Sequence, residues 1–220
     1  MTLAEMHDRL LAWAGAEERQ PWLLAARDAW FARVGEPHEE DKSYELRMNG
    51  LLDHYLYDFR PDGADRTIDL FLRDGAADLT TDERAQVRDL GRSRRALFDV
   101  RRIRPGVVEV EEVLGGARHE VLERRVVVAL GKGDILEARL LPHEGKLHFS
   151  GSFVYHPREV RRAILKEAKR LAEATPPGQA PDGDEFLAQL SRMALRLERY
   201  RNVRVESIYD FDAPQGRPAV

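Results

Sequence analysis

The side chains that can do chemistry in this sequence fall into three groups. The first is His54 with Asp58, one helical turn apart, so that both can face one ion or share one proton. Asp53 is next to His54 in sequence but is expected to point elsewhere on the helix. A bound metal needs three or four convergent ligands, and this spacing supplies a pair. His143 and His148 flank a turn and His156 follows, again without a converging set, and His148 reads as a solvent-facing strand residue. Asp53, Asp58, Asp62, Asp65 and Asp69 gather near a Pro61-Asp62-Gly63 turn and could supply acid–base pairs or oxygen ligands for a hard cation, but they do not fit the spacing of a calcium loop. Asp65 and Asp69 fit the acid preference of a helix amino terminus.

The second group is basic. Arg84, Arg88, Arg92 and Arg95 recur at helical spacing and can share a face, and Arg94, Arg101, Arg102 and Arg104 carry the charge onward. Between 84 and 104 only Asp89 and Asp99 oppose them. Such a band either meets phosphates, giving sequence-tolerant RNA or DNA binding, or pairs with acidic helices of the same chain. The aromatics that would stack on bases are few: Phe98, Phe149, Phe153 and Tyr155, which mostly read as core. The third group, Phe186, Leu190, Met193 and Leu197, lines one helix face that is open to a partner's groove or to the protein's own core.

Nucleotide-loop, dinucleotide, serine-hydrolase and zinc-protease signatures are missing. Gly131-Lys132-Gly133-Asp134 is not followed by Ser or Thr and precedes a strand pattern, so it reads as a hairpin turn. With no Cys, thiol nucleophiles, iron–sulfur centres and Cys-ligated zinc are excluded, and no cofactor is expected.

These residues are carried on 220 positions, 43% hydrophobic and 34% charged, enough for a real core. Residues 1–95 read as a helical subdomain. Thr2 with Glu5 and Thr80 with Glu83 have capping-box spacing, and Pro21 suits a first helical turn. Met48, Leu52, Tyr55, Leu56 and Phe59 form an apolar stripe. A short helix is expected over 67–72, and the helix opened by Thr80 is expected to run to about Arg95. From residue 96 the period becomes two. Strands are predicted at 96–103, 107–114, 117–122, 135–141 and 147–155, with 124–130 as a further candidate, joined by Gly-containing turns. Residues 96–156 therefore read as a small antiparallel β-barrel or curled sheet. A basic amphipathic helix (157–174), a linker (175–183), and a carboxy-terminal helix with a tail (184–220) complete an α+β chain.

Charge is sorted along these units. Residues 1–83 hold 9 basic and 19 acidic side chains, and residues 84–174 hold 20 and 13, inside a total of −4. No apolar run approaches the roughly 20 residues of a membrane span, and the first residues are unlike a signal peptide. A soluble cytoplasmic protein without membrane contact is expected.

Two stretches carry a family resemblance. Leu51-Leu52-Asp53-His54-Tyr55-Leu56-Tyr57-Asp58-Phe59-Arg60, then Thr67-Ile68-Asp69-Leu70-Phe71-Leu72 and Leu79-Thr80-Thr81-Asp82-Glu83-Arg84, is similar to an aromatic-rich segment of an uncharacterised bacterial family. Ser93-Arg94-Arg95-Ala96-Leu97-Phe98-Asp99-Val100, leading to Val113-Leu114-Gly115-Gly116 and to the segment from Leu130 to Leu140, resembles the helix-to-small-barrel part of proteins that sometimes carry a SEC-C metal-binding motif. The resemblance covers about residues 45–155 and implies architecture rather than activity. The SEC-C motif itself needs several Cys and is absent here.

The expectation is a non-enzymatic interaction or adaptor module binding a protein partner through Arg84, Arg88, Arg92, Arg95, Arg101, Arg102, Phe186, Leu190, Met193 and Leu197. The alternatives are nucleic-acid binding through the band 84–104 and a metal-dependent enzyme using His54 and Asp58.

Overall fold

A computed structural model describes residues 1–123, 130–176, 179, 181–200 and 202–212. The amino-terminal part is helical: α1 (Leu3–Ala14), α2 (Gln20–Val34), α3 (Tyr44–Tyr57), the short α4 (Thr67–Leu70) and α5 (Thr81–Leu90). Both capping boxes form, Thr2 with Glu5 and Thr80 with Glu83, and Pro21 lies in the first turn of α2. Met6 and Leu10 of α1, Tyr55 and Leu56 of α3, Ile68, Phe71, Val87 and Leu90 pack into one core. A π-helical turn over Phe71–Gly75 follows α4. α5 stops at Leu90 instead of reaching Arg95, because Gly91 ends it and extended backbone begins at Arg94.

The period-two region closes into a barrel of β1 (Arg94–Arg104), β2 (Val107–Glu112), β3 (Arg118–Leu122), β4 (Ile135–His143) and β5 (Lys146–His156). The order around the ring is β1-β2-β3-β5-β4, returning to β1. Every pairing is antiparallel except the short β3–β5 contact, Val121↔Leu147 and Leu122↔His148. A long first strand that pairs with both β2 and β4, together with that single parallel seam, is the connectivity of an OB-type Greek-key barrel. The interior holds Phe98, Val100, Val108, Val110, Val121, Leu136, Ala138, Leu140, Phe149 and Phe153. Residues 124–129, in the further candidate strand, lie outside the described residues, as do parts of the linker and the tail from residue 213.

The carboxy-terminal part holds α6 (Arg161–Ala174), α7 (Gly183–Arg199) and the short α8 (Val205–Ile208). Phe186, Leu190 and Met193 are buried with Val160, Ile164 and Ala168, and Leu197 packs against the same cluster. The α7 face expected to meet a partner's groove therefore completes the protein's own core, since α6 and α7 each bring an apolar stripe that must be covered.

β4 explains how the two helical parts share one barrel. Its inward residues Leu136, Ala138 and Leu140 fill the interior. Of its outward residues, Ile135 belongs to the carboxy-terminal core and Leu141 to the amino-terminal core. Glu137 and Arg139 lie between them, at the seam.

Candidate functional site

The seam is a buried ion-pair junction. Arg95 of β1 reaches Glu137 through Nη2 and Nε, at 2.6 and 2.7 Å, and lies 4.6 Å over the Trp30 ring. The other oxygen of Glu137 accepts from the Ser191 hydroxyl of α7 at 2.7 Å. Arg47 of α3 donates to the Ser191 carbonyl at 3.1 Å and to the Ser43 hydroxyl at 2.9 Å. Two residue pairs along the ladder from Leu97↔Glu137, where Arg95 is opposite Arg139, the second half begins. Arg139 bonds the Asp58 carboxylate, donates to Ser93 Oγ at 2.9 Å and has its Nε 3.9 Å from Asp53. Asp53 in turn accepts from Ser150 of β5 at 2.5 Å. Arg95 and Arg139 thus meet three acids (Glu137, Asp58 and Asp53), with the buried Arg47 joined to Glu137 through Ser191; Asp58 keeps contact with solvent, and the buried Glu137 and Asp53 have the counterions that buried charges require.

Local sequence places these groups. The ladder with β4 leaves two extra residues in β5 between Phe149 and Phe153, so the strand bulges over Ser150–Ser152, with Gly151 at a φ of 98°. The bulge turns Ser150 toward α3. Gly50 of α3 lets the helix close on it: a Cβ there would be 3.0 Å from Ser152 Oγ.

Burial pushes the Asp53 carboxyl up to about 6 against the pull of Arg139 and the Ser150 bond. Burial acts the same way on Asp58, but hydrogen bonds from His54 and Arg139 outweigh it and leave that carboxyl below its ordinary value. Divergent neighbouring carboxylates are a pattern seen in acid–base sites. Here the cavity that Asp53 lines with Trp30, Gly50, Arg95, Arg139 and Ser152 measures about 10 Å³, close to the space of a single water and too small for a substrate, and Asp58 lies outside its lining.

His54 stacks on Trp30, with ring centroids 4.9 Å apart, and its Nδ1 is 3.8 Å from Asp58. Asp58 is engaged by Arg139, and Asp53 turns to the same guanidinium rather than away from this site, contrary to the helical-wheel expectation. Among the described residues no three His, Asp or Glu side chains converge as a metal set. His148 is half-buried, with its ring 6.2 Å from that of His143.

The arginine band does not form one helical face, because α5 ends before Arg92 and Arg95 is on a strand. Arg84 donates to the carbonyls of Ala76 and Leu72 at 2.6 and 2.8 Å, holding the π turn. Arg92 pairs with Asp89. Arg101 meets Asp99 and Glu111, Arg104 meets Glu109 and Glu120, and Arg118 meets Glu111. On the outer face of β1–β3 this makes a ladder of mutually satisfied charges. The band is thus paired chiefly by the barrel's own acids, an outcome between the two that the sequence left open. Arg88 and Arg102 remain exposed.

A separate cleft of about 380 Å³ opens where β1 begins, between the β2–β3 turn and the amino terminus of α7. Leu97, Leu114 and Leu187 supply its apolar wall, and Arg94, Glu112, Asp182 and Asp184 its polar rim. Arg94 is paired with Glu112 at 2.8 Å, and Glu112 also holds His119 at 2.8 Å. Asp182 caps α7 by accepting from the Asp184 and Glu185 amides. Sequence reasoning missed both the cleft and the roles of Arg139, Glu137 and Ser191. The local signal for the junction was a strand with Glu and Arg two apart on one face, which also fits an ordinary solvent-facing strand.

No helix among the described residues is long and apolar enough to cross a membrane. No curated protein and no solved structure matches the chain. A family model matches residues 31–186, a span that contains α3, the whole described barrel and every junction residue except Trp30 and Ser191. The chain belongs to that family, a family of unknown function designated DUF7986.

Proposed function

We propose that this chain is a non-enzymatic interaction module of the bacterial cytoplasm that holds a segment of a protein partner in the cleft between β1 and α7. The observation that carries this reading is the contrast between the two polar sites. The junction has its charges matched and its space filled. The cleft is open, is of ligand-pocket size, and combines an apolar wall with a rim on which Asp184 faces no cation among the described residues. The resemblance to helix-and-barrel proteins associated with SEC-C motifs agrees with a role in contact, although these 220 residues contain no Cys for that zinc knuckle.

Nucleic-acid binding has less support. Its surface would need free cations and exposed rings, whereas Arg101, Arg104 and Arg118 face Glu109, Glu111 and Glu120. A metal-dependent reaction at His54 and Asp58 would need Asp58 released from Arg139.

The test is affinity capture with the wild type and with Gly183→Trp. Gly183 opens α7, and a Cβ there would point at Leu114 Cδ1 from 3.2 Å, so the indole fills the cleft at a position with ordinary helical backbone. A partner held by the wild type and lost by Gly183→Trp, with the melting temperature unchanged, supports the reading. Identical partner lists for the two proteins overturn it.

A further inference from the structure

The cleft contains a piece of strand edge that is unpaired among the described residues. β1 and β2 pair from Arg104↔Val107 to Phe98↔Glu112, and the last bond of that ladder runs from the Val113 amide to the Leu97 carbonyl at 2.9 Å. There β2 turns away: Gly116 N–H bonds back to the Glu112 carbonyl, and Glu112 N–H to that of Ala117. β1 nevertheless continues to Arg94, paired on its other side with β4 through Arg94↔Leu140 and Arg95↔Arg139. In an antiparallel ladder alternate residues send their N–H and C=O to opposite sides. Leu97 faces β2, so Arg95, two residues earlier, directs its backbone donor and acceptor the same way. No described strand lies on that side of Arg95. Arg95 and Gly115 instead line the cleft.

Charge selects what can lie there. Arg95 is neutralised by Glu137 behind it, and Arg94 by Glu112. Of the remaining rim, Asp184 is exposed with no cation opposite it among the described residues, and Asp182 spends one oxygen on its cap. The rim is therefore net acidic beside the wall of Leu97, Leu114 and Leu187. We infer that the cleft takes an extended segment of a partner protein that adds as a short strand beside Arg95, with a basic side chain toward Asp184 and an apolar one against Leu187. This is strand addition, in which main-chain bonds supply affinity and alternate side chains supply choice. The flanking arginines keep so short an edge from pairing indiscriminately.

The inference rests on the binding-module reading but fails separately from it. The probe is the acetylated, amidated hexapeptide Lys-Val-Lys-Val-Lys-Val, with its Glu-for-Lys counterpart as control, added to the full chain and followed by amide hydrogen exchange. Without the probe the Arg95 amide is expected to exchange faster than those of Arg94 and Ala96. Saturation with the basic peptide should slow Arg95 about tenfold or more. The acidic peptide should bind at least about tenfold more weakly, and Asp184→Lys should remove the difference. Binding that leaves Arg95 exchange unchanged, or no binding at millimolar peptide, overturns strand addition. If cleft-dependent capture persists in that case, the broader reading stands; if capture also ignores Gly183→Trp, both fall. Arg95 protection that grows with protein concentration without peptide, alongside dimers in sedimentation, would instead assign the edge to a second copy and overturn the basic-segment proposal.

Discussion

Replacing Arg139 by Met keeps a long apolar stem in the junction and removes the cation that serves two carboxylates. Arg139 is 2% exposed and Asp53 7%, so vacated Asp53 stays out of water, whereas Asp58, 40% exposed, can be solvated. Deleting one partner of a buried pair costs about 3–5 kcal/mol. Asp53 dictates how that loss varies with pH. Its carboxyl is at about 6 in the folded chain, against 3.8 ordinarily. The folded state therefore binds the proton more tightly, and this group's contribution to stability improves as pH falls from 7 through 6, levelling off below 3.8. At pH 7 the displaced carboxyl already costs about 3 kcal/mol, at 1.36 kcal/mol per pKa unit. Without Arg139 it stays protonated, and the cost rises to a ceiling of about 4.4 kcal/mol, set by the gap between 3.8 and pH 7. The Asp53 share of the loss is thus about 1.4 kcal/mol at pH 7 and near zero at pH 5. Urea unfolding followed by tryptophan fluorescence should show Arg139→Met less stable by about 3–5 kcal/mol at pH 7, with a deficit smaller by at least about 1 kcal/mol at pH 5. Adding Asp53→Asn and Asp58→Asn should recover most of it. A loss below about 1 kcal/mol at pH 7, or one independent of pH, would refute the assignment of Arg139 as the counterion of the buried Asp53.

Two further outcomes follow from the packing. Burial, with Arg47 adding to it, holds His156 down at about 3 beside the Tyr209 hydroxyl, so the unfolded chain takes up the proton first and stability falls as pH drops below 6.5. That loss should reach about 2 kcal/mol at pH 5 and be missing from the pH profile of His156→Gln in urea titrations. In Gly50→Ala the new methyl meets Ser152 Oγ at 3.0 Å, so the usual helical gain over glycine should reverse into a loss of about 1–3 kcal/mol, relieved by Ser152→Ala in the same thermal melts.

What could be read from the residues was what local rules determine. Thr2, Thr80 and Pro21 act within a turn of where they stand, and the alternation in β1, β2, β4 and β5 reports the barrel's inward face. The helix expected to run to about Arg95 stops short: four arginines at helical spacing imitate a face, while Gly91 and the strand preference of Ala96-Leu97-Phe98 end the helix. Asp53 was misplaced because a helical wheel ignores that a guanidinium from β4 can reach both Asp53 and Asp58. Glu137 and Arg139 were not singled out, since alternation identifies the inward residues of a strand but not what covers the outward ones. The cleft depends on where β2 turns relative to β1, a register that no short window of sequence contains.

β4 also governs how this molecule can be divided. With Ile135 committed to one helical assembly, Leu141 to the other and paired charges between them, the β4 face of the barrel cannot be cut free and wetted at low cost. A fragment trimmed to residues 96–156 would expose a hydrocarbon patch at each end of one strand, with an unmatched Glu and Arg between, and would be prone to clump. The unit that can be moved, fused or expressed is the entire wrap of helices around that strand, and the places to splice in foreign sequence are the hairpin tips at Gly106 and Gly145, around which nothing crowds.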